Sequence, residues 1–435
     1  MKAKTEMIIA CQNPYEGMPD KAVRKRRLSV SKTFLLLLLV ISLCCALVAV
    51  QQKQHVDQPV DSLDPGAPVI AIGWALHKRA LLQLLYPEAD IVFLPKRERV
   101  CELLPLLKEA AGNSRKIVLF IWGYSEPPGT LEEAKEYFDC NVVRFEDGFV
   151  RSVGLGADHY PPFSLVSDPS GSLYFDARYQ SGLEKIYNEY DFQGSKELMS
   201  EAQRSLEYYL KNSLSKYNPK SPTVDYWPAL QSRRSSARRI LILGQVPGDA
   251  SLKFGTFESV SFRRVAESAR SLFPDAYIVF RSHPDMSSER TADCLDPTRT
   301  KLSQTVLCVK VRENLDDISH IQNLVNEVDY KSSTRAMTTW ADEVFVITSL
   351  AGFEAVLLGK NVYVFGCPFY CGWGVTKDIG VCKTRRRKLS ELELFAGAYL
   401  LYPSYFDPSN GLKMKLTDVM QRIVQERSSS TTLVI

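Results

Sequence analysis

The chain has 435 residues, 45% of them hydrophobic and 24% charged, an ordinary globular balance long enough for two or three domains. The net charge of +4 gives no electrostatic case for a nucleic-acid partner. Ten cysteines lie scattered without a framework. Cys367 and Cys371 are four apart, but no second pair or histidine cluster accompanies them, so reduced structural thiols are expected and no metal site.

In chain order, residues 1–32 form a basic tail with the run Lys21 to Arg27 and read as disordered. Two further basic runs, Arg233 to Arg239 and Lys383 to Lys388, fit either a solvated surface or an acidic membrane surface. Residues 33–50 carry no charge and would span about 27 Å as a helix, enough for a bilayer core. A long basic segment precedes this run and no small-x-small cleavage site follows, so an uncleaved single-pass anchor is expected. The positive-inside rule would then put the bulk of the chain across the membrane.

Residues 51–66 read as a linker rich in Gln, Asp and Pro. Residues 67–216 alternate short apolar strands with helices, the pattern of a Rossmann-like parallel sheet. Within them, Phe163 to Asp176 reads as a β-hairpin with a turn at Asp168 to Gly171. Residues 217–237 form a second linker, 238–390 a second Rossmann-like domain, 391–425 C-terminal helices and 426–435 a tail. The expected class is α/β, with two parallel sheets facing a ligand cleft.

Candidate functional residues follow apolar strands, where α/β proteins place ligands. Glu146 and Asp147 are adjacent carboxylates at one such end; they are either reactive or part of an Asp-Gly turn. Asp249, followed by Ala250 and Ser251, sits in a loop of small residues that a substrate can approach, or it caps a helix. His283, held extended by Pro284, either donates to a phosphate or bonds backbone. The strand–Thr348-Ser349-Leu350-Ala351-Gly352–helix unit either aims backbone N–H groups at an anion, with Gly352 allowing close approach, or uses its Gly and Ser only to make a tight turn. Glu354, read as lying in the first turn of that helix, accepts from a ribose or offsets the helix dipole. The aromatic loop Gly366 to Gly374 is expected to border the same cleft.

Together these segments resemble the bacterial capsule β-Kdo transferases of the KpsC type. Glu146-Asp147-Gly148-Phe149-Val150-Arg151-Ser152 is similar to that family's first signature, and Gly244-Gln245-Val246-Pro247-Gly248-Asp249-Ala250-Ser251 to its central loop. His283-Pro284-Asp285, Thr348 to Ala355 and Gly366 to Gly374 resemble its later motifs, in the same order. The likeness covers about 67–410 and one module, where the family carries two in tandem.

The resemblance implies a GT-B-like fold and a retaining transferase that takes Kdo from CMP-Kdo to a lipid-linked glycan through a covalent adduct. It makes Asp249 the nucleophile. It places His283, Pro284, Ser251, Ser349, Gly352 and Glu354 at the donor, and Glu146 is the candidate base. No metal or cofactor is expected. The implied partners are a nucleotide sugar, a glycolipid, the membrane and other capsule assembly proteins, with no nucleic acid. The implied place is the bacterial inner membrane with catalysis on the cytoplasmic face, against the positive-inside rule. Two alternatives stay open: another CMP-activated 2-keto sugar acid, or a non-catalytic glycolipid-binding assembly protein.

Overall fold

The computed structural model describes residues 66–154, 160–218, 237–283, 319–330, 332–382 and 384–429. The expected anchor at 33–50, the linkers 51–66 and 217–237 (but for their last and their first two and last residues), Pro284 and the expected strand Thr305 to Val311 lie outside them. Among the described residues no helix is long and apolar enough to cross a membrane.

The first half builds a six-stranded sheet in the order β14-β6-β4-β3-β1-β2. Its parallel part is β1 (Val69–Ile72), β2 (Ile91–Phe93), β3 (Lys116–Trp122) and β4 (Asp139–Asp147). β1 and β3 read as near-continuous apolar runs, as strands covered by helices do; the helices are α1 (Leu76–Leu85), α2 (Val100–Ala111) and α3 (Thr130–Lys135). A two-residue ladder pairs β5 (Ser152–Val153) with β7 (Tyr217–Asn218).

One expectation fails here. The hairpin expected from Phe163 to Asp176 keeps only its first arm, β6 (Ser164–Asp168). One edge of β6 is taken by β4 and the other by β14 (Pro403–Tyr405), both antiparallel, so no ladder is left for Leu173 to Asp176. That second arm is drawn off the sheet instead: Leu173 N donates to Tyr124 Oη at 3.2 Å, and Tyr124 Oη donates to Asp176 at 2.6 Å.

The segment 391–425 holds the expected C-terminal helices, with β14 between them. Helix α10 (Glu391–Phe395) opens on a capping box at Ser390 and Glu393 and runs into a π-helical turn, Ala396–Leu401. The chain then returns to the first sheet as an edge strand starting at Pro403, where a missing N–H costs no ladder bond. The last helix, α11 (Leu416–Ser429), follows.

Between the sheets run α4 (Gly182–Glu189), capped by Ser181, and α5 (Lys196–Lys211). The second sheet has the order β10-β9-β8-β11-β12-β13 and is parallel throughout. Its strands are β8 (Arg239–Leu243), β9 (Tyr277–Arg281), β10 (Glu327–Asp329), β11 (Glu343–Val346), β12 (Asn361–Val364) and β13 (Lys377–Asp378). Its helices are α6 (Ala250–Phe254), α7 (Phe262–Leu272), α8 (Thr334–Trp340) and α9 (Leu350–Leu357).

The largest apolar cluster belongs to neither sheet alone. It joins Phe149, Leu173 and Tyr187 of the first half to Leu241, Phe353 and Phe369 of the second and Tyr399 of the C-terminal segment. Phe149 packs against Phe369 and stacks on Tyr399, with ring centroids 5.1 and 5.4 Å apart. An apolar seam of this kind holds the halves together far better than polar contacts would.

Candidate active site

Three neighbouring strands of the second sheet, β9, β8 and β11, end at one edge. β9 ends in Arg281-Ser282-His283, and His283 is half-buried. β8 ends in Gly244-Gln245 and leads to Asp249. β11 leads to Thr348-Ser349. Gln245 is the clasp between the last two. Its Oε1 accepts from Thr348 N at 2.9 Å, and its Nε2 donates to Thr348 Oγ1 at 3.1 Å and Ser251 Oγ at 3.2 Å.

Asp249 is the N-cap of α6. Its Oδ1 accepts from Ser251 N at 2.7 Å and Ser251 Oγ at 2.8 Å. Among the described residues nothing bonds Oδ2, and the side chain keeps solvent contact. One oxygen is thus clamped and the other presented. The far end of α6 reaches both halves: Phe254 O accepts from Ala177 N at 2.9 Å, and Gly255 O accepts from Cys367 N at 2.7 Å.

Ser349 caps α9, its hydroxyl accepting from Ala351 N at 3.3 Å. Gly352 also carries a packing constraint. A Cβ built there would stand 2.2 Å from Tyr370 Oη, which itself donates to Ser349 O at 2.5 Å. Glycine is needed here for the Tyr370 ring, and that packing fixes the start of α9. Gly352→Ala is therefore expected to destabilise the fold by about 2 kcal/mol through overpacking. An urea melt with an unchanged midpoint would show that Tyr370 yields at no cost.

Glu354 lies in the second turn of α9, so dipole compensation does not account for it. It accepts from Tyr209 Oη at 3.3 Å and from the backbone N–H of Lys216. Burial raises its pKa to about 7, against the opposing pull of Tyr209, Arg335 and Lys216 N.

Glu146 and Asp147 close β4 inside the ladder, not in a turn. Asp147 bonds Lys78 Nζ at 3.2 Å and the fully buried Arg151 at 2.8 Å. Burial alone would raise the Asp147 pKa, but Lys78, Lys216 and Arg151 hold it below the ordinary value. Glu146 goes the other way: burial pushes it up, with Lys216 opposing and Asp147 adding to the rise. Two adjacent carboxylates are thereby split into a fixed anion and a proton-accepting group.

Lys216 had no role in the sequence reading and is the residue joining these groups. Its ammonium faces Glu146, Asp147, Tyr174 and Tyr217, while its backbone N–H serves Glu354 of the other half. Burial would lower its pKa, but Tyr174, Tyr217 and the two carboxylates more than reverse that. No spacing signal marks it, because the contact is made across the fold. Gln245 and Thr348 lay inside quoted motifs, but only their mutual bonds give them a function.

The aromatic side chains of the loop after β12 belong to the core. Trp373 is fully buried, donates from Nε1 to Phe369 O at 2.8 Å and meets Tyr187 edge-on. Its cysteines also differ from expectation: Cys382 is bonded to Cys367 as a disulfide, so the pair is not made of two isolated reduced thiols.

The family model described as "Capsule polysaccharide biosynthesis protein" matches residues 117–405. Two solved structures of KpsC from Thermosulfurimonas dismutans are each 30% identical. The β-Kdo 2,7 transferase has a TM-score of 0.60 and covers 83% of this chain and 99% of its own; the β-Kdo 2,4 transferase has 0.61, with 82% and 98%. The chain belongs to the KpsC-type capsule β-Kdo transferase family. Among relatives of this family, the lipopolysaccharide-processing protein LpsZ of Rhizobium meliloti is 33% identical over 71% of this chain and 64% of its own length. The capsule polysaccharide modification protein LipA of Neisseria meningitidis serogroup B is 33% identical over 82% of this chain and 45% of its own. The chain therefore spans only about half to two thirds of the length of these relatives. The two KpsC structures match it equally well, so the likeness favours neither linkage.

Proposed function

We propose that this module is a retaining glycosyltransferase that moves Kdo from CMP-Kdo to a glycolipid acceptor through a covalent Kdo adduct on Asp249. The observation that carries the reading is the carboxylate of Asp249, clamped through one oxygen and open at the other, between the strand ends that bear His283 and Ser349. In the first displacement Oδ2 attacks the anomeric carbon and CMP departs. His283 and the N-terminus of α9 offset the charge on its phosphate. In the second, Glu146 takes the proton of the acceptor hydroxyl as that oxygen attacks the same carbon and Asp249 leaves. A carboxyl with a raised pKa, held by the Lys216 ammonium, suits that proton transfer. A single module would make one linkage. Its acceptor lies at the membrane, with catalysis on the cytoplasmic face.

The test is incubation of the full chain with CMP-Kdo and a β-Kdo-terminated glycolipid, with the product linkage assigned by NMR. An α-linked product, or binding of the acceptor without CMP release, would overturn the reading. Glu146→Gln is expected to slow transfer to the acceptor by about 100-fold while leaving Kdo loading of Asp249 within a few-fold of wild type. Loading rates by quenched-flow mass spectrometry separate the two steps. Equal loss in both would remove Glu146 from the base role. Protease accessibility in sealed vesicles checks the orientation.

A further inference from the structure

Behind the aromatic loop, three sulfurs converge on one point. The Sγ atoms of Cys367, Cys371 and Cys382 all lie within 4.8 Å of one another. Cys367 and Cys382 are bonded, and Cys371 Sγ stands 2.6 Å from Cys382 Sγ. One disulfide satisfies two sulfurs and leaves the third as a free thiol pressed against it. A shared cation satisfies all three.

We propose that Cys367, Cys371 and Cys382 form a binding site for a thiophilic divalent cation of the zinc class, filled when the three are reduced. With zinc–sulfur bonds of about 2.3 Å, tetrahedral thiolates stand about 3.8 Å apart, a spacing that the observed convergence accommodates. Three thiolates on a divalent cation carry one net negative charge. The nearly buried Arg385 lies where that charge would fall, with Nη1 3.6 Å from Cys371 Sγ and 3.5 Å from Cys382 Sγ. Arg385 is itself fixed by Pro368 O and Cys371 O and by Glu184 at 3.5 Å, an arrangement suited to orienting ligand sulfurs.

A fourth position is available on the open side. Asp378 is exposed, lies within hydrogen-bond reach of the Cys371 thiol and is braced by Gly372 N at 2.9 Å and Thr376 Oγ1 at 2.5 Å. Either its carboxylate or a water completes the tetrahedron, and the half-buried Cys382 marks the way in. Each thiol must release its proton to become a ligand, so cation uptake is expected to strengthen as pH rises.

The site has a consequence for the strand ends. Its loop also supplies the Tyr370 bond to Ser349 O and the Cys367 N–H bond to Gly255 O. A cation here ties the start of α9 and the end of α6 to one rigid loop. The inference does not depend on the sugar or the mechanism proposed above.

The test uses the full chain, reduced and stripped of metal, titrated with Co(II). One equivalent is expected to give intense thiolate-to-cobalt charge-transfer absorption and tetrahedral visible bands, both abolished by Zn(II). Zn(II) is also expected to raise the melting temperature and to protect Cys367, Cys371 and Cys382 from alkylation, read by peptide mass spectrometry. Cys371→Ser should remove the absorption, and Cys101→Ser, at an exposed thiol outside the cluster, should leave it intact. Should Cys371→Ser fail to fold, alkylation protection in the wild type decides alone. Three freely alkylated cysteines in saturating Zn(II), or a Cys367–Cys382 disulfide that cannot be reduced without unfolding, would overturn the site.

Discussion

Asp249→Asn is expected to lower Kdo transfer by about 10⁴-fold while the protein stays folded. The amide keeps an oxygen for Ser251 N and Ser251 Oγ, so the cap on α6 survives; alanine would lose it, at about 1 kcal/mol. What the substitution removes is the negative charge on the free oxygen. Retention requires that an enzyme group hold the sugar between two displacements, and a neutral amide is too weak to form that bond. The measurement has two parts. With CMP-Kdo and no acceptor, intact-mass analysis should show one added Kdo residue on the wild type and none on the variant. Steady-state CMP release should fall in parallel. Turnover within tenfold of wild type would move the nucleophile elsewhere, and an adduct on the variant would do so outright.

The readable part of the fold was local. Apolar strands ending in small or charged residues announced both sheets and the strand ends at Glu146, Asp249, His283 and Ser349, because period and composition are properties of short windows. The failures are all long-range. The Leu173 to Asp176 arm looks like a strand, but β14 arrives from more than 230 residues away to take its place beside β6. Gly352 reads equally well as an anion-holding residue or as part of a tight turn, and its packing against Tyr370 shows only in the fold. Trp373 looks like a cleft aromatic until Tyr187 covers it. Cys382 follows Cys371 by too irregular a spacing to be counted with it, and β13 brings it back. Lys216 is legible least of all. A lysine at the close of a helical region suggests solvent, and only the fold turns it toward two carboxylates and Glu354.

That meeting at Lys216 changes what Glu354 does for stability. Glu354→Gln is expected to make the protein more stable than wild type at pH 8 and about as stable at pH 4.5. In the folded chain, burial first, against the Tyr209 hydrogen bond and Arg335, lifts the carboxyl from 4.5 to about 7. Unfolded, it releases its proton near pH 4.3. Between those values the native state holds a proton that the unfolded state has lost, so stability falls as pH rises through the window and levels off above about 7. The full shift corresponds to about 3 kcal/mol, an upper figure because water still reaches the group. Glutamine has no proton to lose, and its oxygen still accepts from Tyr209 Oη and Lys216 N. Urea melts from pH 4.5 to 8 should therefore show the two stability curves separating as pH rises. Parallel curves would mean that the carboxyl ionises freely. A higher KM for CMP-Kdo in the variant, with kcat retained, would tie that same carboxylate to the donor, since an ionised carboxylate accepts from a ribose hydroxyl more strongly than a neutral amide does.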